Sequence, residues 1–279
     1  ALIAKDHHFT EAEKHALLDE MQQALQRVLP LYRQLAANGQ CELTTSPFYH
    51  PILPLLCNMR DAARRIPPQQ LPPTLWREPG EAYRQLQRAR EHHRHNFGAV
   101  PVGLWPSEGA VSDAALEEVR RAGFHWLASD EQVLAQSLQE GTTSRPAPTD
   151  LYRIWAVGDG QLHMLFRDHE LSDLIGFVYR NWRPTDAAED LVGRLRSIAR
   201  ALPSASEPQV VCIALDGENP WGLYPDGGEA FLRRLYAAIE RAPELRTATP
   251  AELTGQTPSR RLQSVFPGSW IAYSYATWI

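Results

Sequence analysis

Glu108 and Asp216 each follow a short apolar run that reads as a buried strand. The first run, Ala99-Val100-Pro101-Val102-Gly103-Leu104, feeds the loop Trp105-Pro106-Ser107-Glu108-Gly109, and the second, Gln209 to Leu215, ends on Asp216-Gly217-Glu218-Asn219. Carboxylates at the carboxyl ends of such strands stand on the rim where an α/β barrel does its chemistry. Two of them, about a hundred residues apart in sequence, fit the nucleophile and the general acid of glycoside hydrolysis. One would attack the anomeric carbon while the other protonates the leaving oxygen. Spacing alone leaves open the alternative that both are solvated loop acids or helix caps.

Other residue types narrow the chemistry. Trp105, Trp155, Trp182, Trp221, Trp270, Tyr49 and Tyr224 fall mostly in loops near the two acids, and aromatic faces stack on the apolar faces of sugar rings. Any one of them alone reads as packing, and Trp221, five residues after Asp216, is the best exception. His92, His93 and His95 crowd one predicted helix, but neighbouring helical positions face different ways, so they read as exposed polar surface. Arg167-Asp168-His169-Glu170 offers possible ligands, yet no metal and no cofactor is expected. The glycines lack the strand, loop and helix order of a phosphate cradle. Neither Ser107 nor Ser269 sits in a nucleophile elbow.

The elements that must hold these residues follow from periodicity. Thr10-Glu11-Ala12-Glu13 signals a helix start, and Leu17, Leu18, Met21, Leu25, Val28 and Leu29 recur at helical spacing. That helix is expected to break near Pro30 and to continue from Tyr32 to Leu35. Cys41 to Thr45 is a short β-prone run before the proline-rich loop Ser46 to Pro54. Pro79 opens a helix through Phe97, Ala114 to Ala122 forms another with Gly123 as its cap, and Phe124 to Ala128 is a strand followed by a helix through Leu138. A polar loop spans 141–148. Leu151 to Trp155 and Leu162 to Phe166 flank Gly158-Asp159-Gly160 as a hairpin would. Asp186 to Leu202 and Phe231 to Ala242 are helices, and Gln209 to Leu215 is the clearest buried strand. About five strand-helix units therefore imply a mostly parallel sheet with right-handed crossovers, for which a barrel fits.

With 279 residues, 43% of them hydrophobic, the chain can bury a large core, and one domain is expected. A formal net charge of −5 with scattered arginines argues against a nucleic-acid partner. Cys41, Cys57 and Cys212 are odd in number and widely spaced, which suggests a reducing, cytoplasmic setting. No apolar run reaches the roughly 18 residues of a membrane span, and no signal peptide is evident.

Four stretches carry a resemblance. Cys41-Glu42-Leu43-Thr44-Thr45-Ser46-Pro47-Phe48-Tyr49-His50-Pro51-Ile52-Leu53-Pro54, Gly103-Leu104-Trp105-Pro106-Ser107-Glu108-Gly109, Phe166 to Phe177 and Leu215-Asp216-Gly217-Glu218-Asn219-Pro220-Trp221 resemble glycoside hydrolase family 57, in that order and across nearly the whole chain. The resemblance implies an incomplete (β/α)7-type barrel with helical additions. It also implies a retaining hydrolase or transglycosylase acting on α-glucans, with Glu108 as nucleophile and Asp216 as acid/base. Glu42, His50, Trp105 and Trp221 would line the sugar subsites, and Asp168 and His169 would support them. The family's first motif, His-Gln-Pro, has no counterpart here, so residues 1–279 are expected to form one catalytic barrel domain without its first strand and C-terminal helical region. A non-catalytic glucan-binding remnant and a metal-dependent polysaccharide deacetylase on a related barrel are the competing functions.

Overall fold

The computed structural model describes residues 2–64, 66–139, 147–203, 209–255, 258 and 260–279. In chain order the helices are α1 Leu2–Lys5, α2 Glu11–Ala37, α3 Leu53–Asn58, α4 Pro79–Phe97, α5 Asp113–Arg121, α6 Glu131–Gln139, α7 His169–Asp173, α8 Pro184–Ala201, α9 Glu229–Glu240 and α10 Pro250–Thr254. The strands are β1 Gly103–Leu104, β2 Trp126–Asp130, β3 Trp155–Val157, β4 Leu162–Arg167 and β5 Arg261–Leu262. Of the polar loop expected over 141–148, residues 141–146 lie outside the described residues.

The sheet order is β1-β2-β4-β3-β5. β1, β2 and β4 run parallel, β3 pairs antiparallel to β4, and β5 is parallel to β3. Single parallel bridges extend the parallel run, with Thr45 beside Leu104 and Cys212 beside Arg167. The carboxyl ends of five neighbouring segments therefore open on one rim, each feeding a loop except β2, which runs straight into α6. Both faces of the sheet are covered, as parallel strands require. On one, Leu104, Leu127, Met164 and Phe166 pack with α3, α4, α5 and α6; on the other, Trp126, Ala128 and Leu165 meet Val102, Trp105 and Cys212. A second core joins α7, α8 and α9 through Leu171, Ile175, Tyr179, Leu191 and Phe231. This is the expected α/β architecture of mostly parallel strands with helical additions.

Local chemistry explains the boundaries. Ser112 caps α5 by accepting the Ala115 N–H. Gly98 ends α4 in the left-handed conformation, which glycine adopts without Cβ strain. A Cβ on Gly103 would lie 2.2 Å from the Trp126 ring, so only glycine lets β1 lie against that indole.

Several expectations need correction. Pro30 does not break α2, which runs through it for 27 residues with no buried side chain; an exposed helix tolerates one lost hydrogen bond when nothing packs against the distortion. The run 209–215 pairs regularly only at Cys212. Elsewhere in it the Val210 N–H donates to the Tyr152 carbonyl, Ser172 Oγ accepts the Ala214 N–H and Arg167 donates to the Ala214 carbonyl. Cys41 to Thr45 likewise contributes the single bridge at Thr45. The hairpin forms, but its first strand begins at Trp155, not Leu151. His93 is buried beside Phe97, with Nδ1 2.9 Å from the Ala99 carbonyl, while His92 and His95 are exposed.

Candidate active site

β1 delivers the chain to a tight turn, Ser107–Gly109, in which Glu108 takes φ 57° and ψ 27°. A non-glycine residue there carries a backbone cost of about 1 kcal/mol, which the surroundings must offset. They do so through Trp270. Its backbone N–H donates to the Glu108 carbonyl at 3.1 Å, and its indole Nε1–H donates to Glu108 Oε2 at 2.7 Å. Trp270 is itself anchored by the antiparallel bridge between Val111 and Gly268. Trp105 meets it edge-on with centroids 5.0 Å apart. From β2, the Ser129 hydroxyl donates to the Gly109 carbonyl at 2.7 Å.

His50 faces Glu108 from the loop after Thr45. It too has φ 57°, and its Nε2 lies 3.7 Å from Glu108 Oε1. Asp216 stands on the loop after Cys212. It is exposed, and its Oδ2 accepts from Asn219 Nδ2 at 2.7 Å.

Between the two acids lies a charged network built by strand register. The parallel pairing sets Asp130 opposite Arg167 at the ends of β2 and β4. The buried Arg167 donates Nε–H to Asp130 at 2.9 Å, a second N–H to Asp173 at 2.9 Å and a third to the Ala214 carbonyl at 3.0 Å. Its guanidinium sits 5.1 Å from the Trp270 ring centroid. His169 bridges the same carboxylates, with Nδ1 3.2 Å from Asp130 and Nε2 3.0 Å from Asp173. Beside this network, burial pushes the Glu131 carboxyl above its ordinary range, with Asp168 and Asp130 adding to the rise, although the His169 N–H that it accepts opposes the shift.

A cavity of about 310 Å³ gathers these groups: Glu108, Asp216, Arg167, His169, Asp173 and Trp270 all line it. Of the residues singled out from sequence, Glu108, Asp216, His169 and Trp270 thus share one space. His50 adjoins it through Glu108, and Trp105 packs behind Trp270.

The others lie elsewhere. Glu42 ties the sheet to α10, accepting from Trp126 Nε1 and the Ala251 N–H, both at 2.8 Å. Asp168 is buried as the cap of α7, accepting from the Leu171 N–H at 2.9 Å and the Tyr152 hydroxyl at 3.0 Å. It borders a separate cleft of about 760 Å³ with Glu170, Asp190 and Arg194. The Trp221 ring packs on Tyr224 and over Gly228, where a Cβ would come within 2.4 Å. The Asp130, Arg167 and Asp173 network was not singled out from sequence. Its one legible signal is that Asp130 and Arg167 both end strands. No group of three or more His, Cys, Asp and Glu side chains suited to a metal ion occurs among the described residues. No described helix is long and apolar enough to cross a membrane.

A family model described as glycosyl hydrolase family 57 matches residues 8–266. No curated protein matches. Among solved structures, the fold is similar to a branching enzyme of the GH57 type from Thermococcus kodakaraensis, with a TM-score of 0.71 at 14% identity over 95% of this chain and 56% of that one. It is also similar to the α-amylase AmyC from Thermotoga maritima, with a TM-score of 0.70 at 13% identity over 93% and 57% of the two chains. For the 4-α-glucanotransferase from Thermococcus litoralis the TM-score is 0.64 at 19% identity over 91% and 35%. The chain thus spans between about a third and somewhat over half of the length of these structures. At such identities the likeness is one of fold.

Proposed function

The chain belongs to glycosyl hydrolase family 57, and from that premise we propose that it is a retaining hydrolase or transglycosylase of α-glucans. In this reading Glu108 attacks the anomeric carbon as the glycosidic C–O bond breaks, and Asp216 gives its proton to the departing oxygen. The glycosyl unit is then an ester of Glu108. Asp216, now a carboxylate, takes a proton from water or from an acceptor hydroxyl, whose oxygen attacks the same carbon and releases Glu108. Trp270 occupies Oε2, which leaves Oε1, the oxygen on the His50 side, to form the new bond.

The observation that carries the proposal is that two carboxylates from separate rim loops line one cavity of about 310 Å³. The likeness to a branching enzyme, an amylase and a glucanotransferase supports an α-glucan as the substrate. The test is Glu108→Gln assayed on a maltooligosaccharide bearing a nitrophenyl leaving group. Turnover should fall by at least about 10³-fold, the scale of losing a covalent nucleophile, while oligosaccharide binding persists. Retained turnover overturns the assignment of Glu108. Wild-type protein that binds the oligosaccharide without cleaving it would instead be a glucan-binding remnant.

A further inference from the structure

The active-site cavity joins polar and apolar groups. It is lined by the buried Arg167, the half-buried Glu108 and the exposed Asp216, whereas Phe177, Leu223 and Ile271 line the same space at 62%, 56% and 42% exposure. Single exposed apolar residues are ordinary on protein surfaces, but three of them line this one cavity.

Local structure turns Phe177 outward. Leu174–Val178 is a π-helical turn that continues α7, and Leu171, Ile175 and Tyr179 carry the buried stripe. Phe177, two residues beyond Ile175, faces the other way. Wider turns of this kind are frequent at functional sites.

The turn is tied to the Asp216 loop. The buried Tyr224 hydroxyl donates to the Ile175 carbonyl at 2.8 Å, and Leu223 precedes Tyr224 on the loop that begins at Asp216. Phe177 and Leu223 therefore belong with the carboxylate assigned to the leaving oxygen, not with the nucleophile.

We propose that Phe177, flanked by Leu223 and Ile271, is the platform on which the sugar ring of the leaving group stacks, and later that of the incoming acceptor. The proposal rests on the assignment of Asp216 as acid/base. A pyranose suits such a cavity because its C–H face is apolar while its rim of hydroxyls can reach the polar groups. A ring held there occupies the place from which water would otherwise attack, so the platform favours transfer to sugar over hydrolysis.

The test compares wild type, Phe177→Ala and Phe177→Trp in two measurements. Calorimetric titration with maltotetraose needs no turnover, and each protein in it also carries Glu108→Gln so that the sugar is bound and not cleaved. Phe177→Ala should weaken binding about tenfold, the cost of removing one large apolar contact, and Phe177→Trp should restore it. With a nitrophenyl maltooligosaccharide as donor and maltose as acceptor, the ratio of transfer to hydrolysis should fall by a similar factor in Phe177→Ala and recover in Phe177→Trp. Equal maltotetraose affinity in wild type and Phe177→Ala overturns the platform, as does an unchanged transfer ratio. Phe177-dependent binding, when the protein with Glu108 intact turns nothing over, would refute the catalytic assignment and keep the platform. No binding by the wild type overturns both.

Discussion

The loops that present Glu108 and Asp216 are built differently. Glu108 is the more enclosed, with its side chain 29% exposed, and its turn is held by Trp270 through both backbone and indole and by Ser129 through the Gly109 carbonyl. Asp216 is exposed and is held at its carboxylate by Asn219, from its own loop. In the proposed mechanism this contrast suits the two tasks. A nucleophile must approach one carbon along one line, so fixed geometry is rewarded. An acid/base must reach a leaving oxygen and then a water or hydroxyl, so adjustment and contact with solvent are rewarded. The nucleophile's left-handed backbone is strained and the Asp216 loop carries no such outlier, which is where pre-organisation would put its cost.

The largest break in that comparison comes from Asp216→Asn. On an unactivated glucan, whose leaving group needs the proton, turnover should drop by about 10²–10⁴-fold. On a nitrophenyl glucoside, whose leaving group does not, the first step should survive as a burst of nitrophenol. Equal losses on both substrates would deny Asp216 its role as acid.

A smaller effect separates the supports. Trp270→Phe keeps the ring but deletes the N–H on Oε2, and should cost about tenfold or more in kcat, the range for a hydrogen bond to a charged group in a sheltered site. Asn219→Ala removes an exposed partner of Asp216 and should cost less than about threefold, in keeping with weak exposed contacts. If the two losses are equal, the difference in rigidity between the loops does not matter to catalysis.

How much of this was legible in the sequence depends on range. Glu108 and Asp216 were marked by local order, each an acid just after an apolar run, and helices α4, α5 and α8 were marked by periodicity within two residues of their observed bounds. Trp270 was legible only as one aromatic among several, since its bond to Glu108 joins residues 162 positions apart. The Asp130 and Arg167 pair depends on register between β2 and β4, which no local pattern encodes. The run 209–215 misled because its hydrophobicity reflects contact with the second core, where Val211, Ile213 and Leu215 pack, and not a full ladder of strand bonds. The placement of Trp221 was not legible for a similar reason, since an aromatic near an acid packs according to neighbours such as Gly228 that are set by the fold.

The smallest predicted effect concerns how two further carboxylates respond to acid. On α8, in the cleft apart from the catalytic cavity, the carboxylate of Asp190 is held below its ordinary range, first by the Tyr179 hydroxyl at 2.6 Å and then by Arg194 at 2.8 Å. In the turn Met59–Arg64, burial lifts Asp61 above its ordinary range, against the opposing pull of the hydroxyl of Ser112, which follows the Glu108 loop. The signs are opposite. A depressed carboxylate contributes stability that is present above its unfolded value of about 3.9 and is lost as pH falls toward the folded value. A raised one contributes stability that is present below the unfolded value and is lost as pH rises through the folded one. Asp190→Asn should therefore lower the thermal midpoint at neutral pH by no more than about 2–4 °C, the equivalent of up to about 1 kcal/mol for a partly exposed pair. The difference should shrink as pH falls below about 3.9, where the unfolded chain takes up the proton and the advantage of the ionised, paired Asp190 is progressively lost. A decrement that does not change with pH would mean that Asp190 acts through packing and not through its charge.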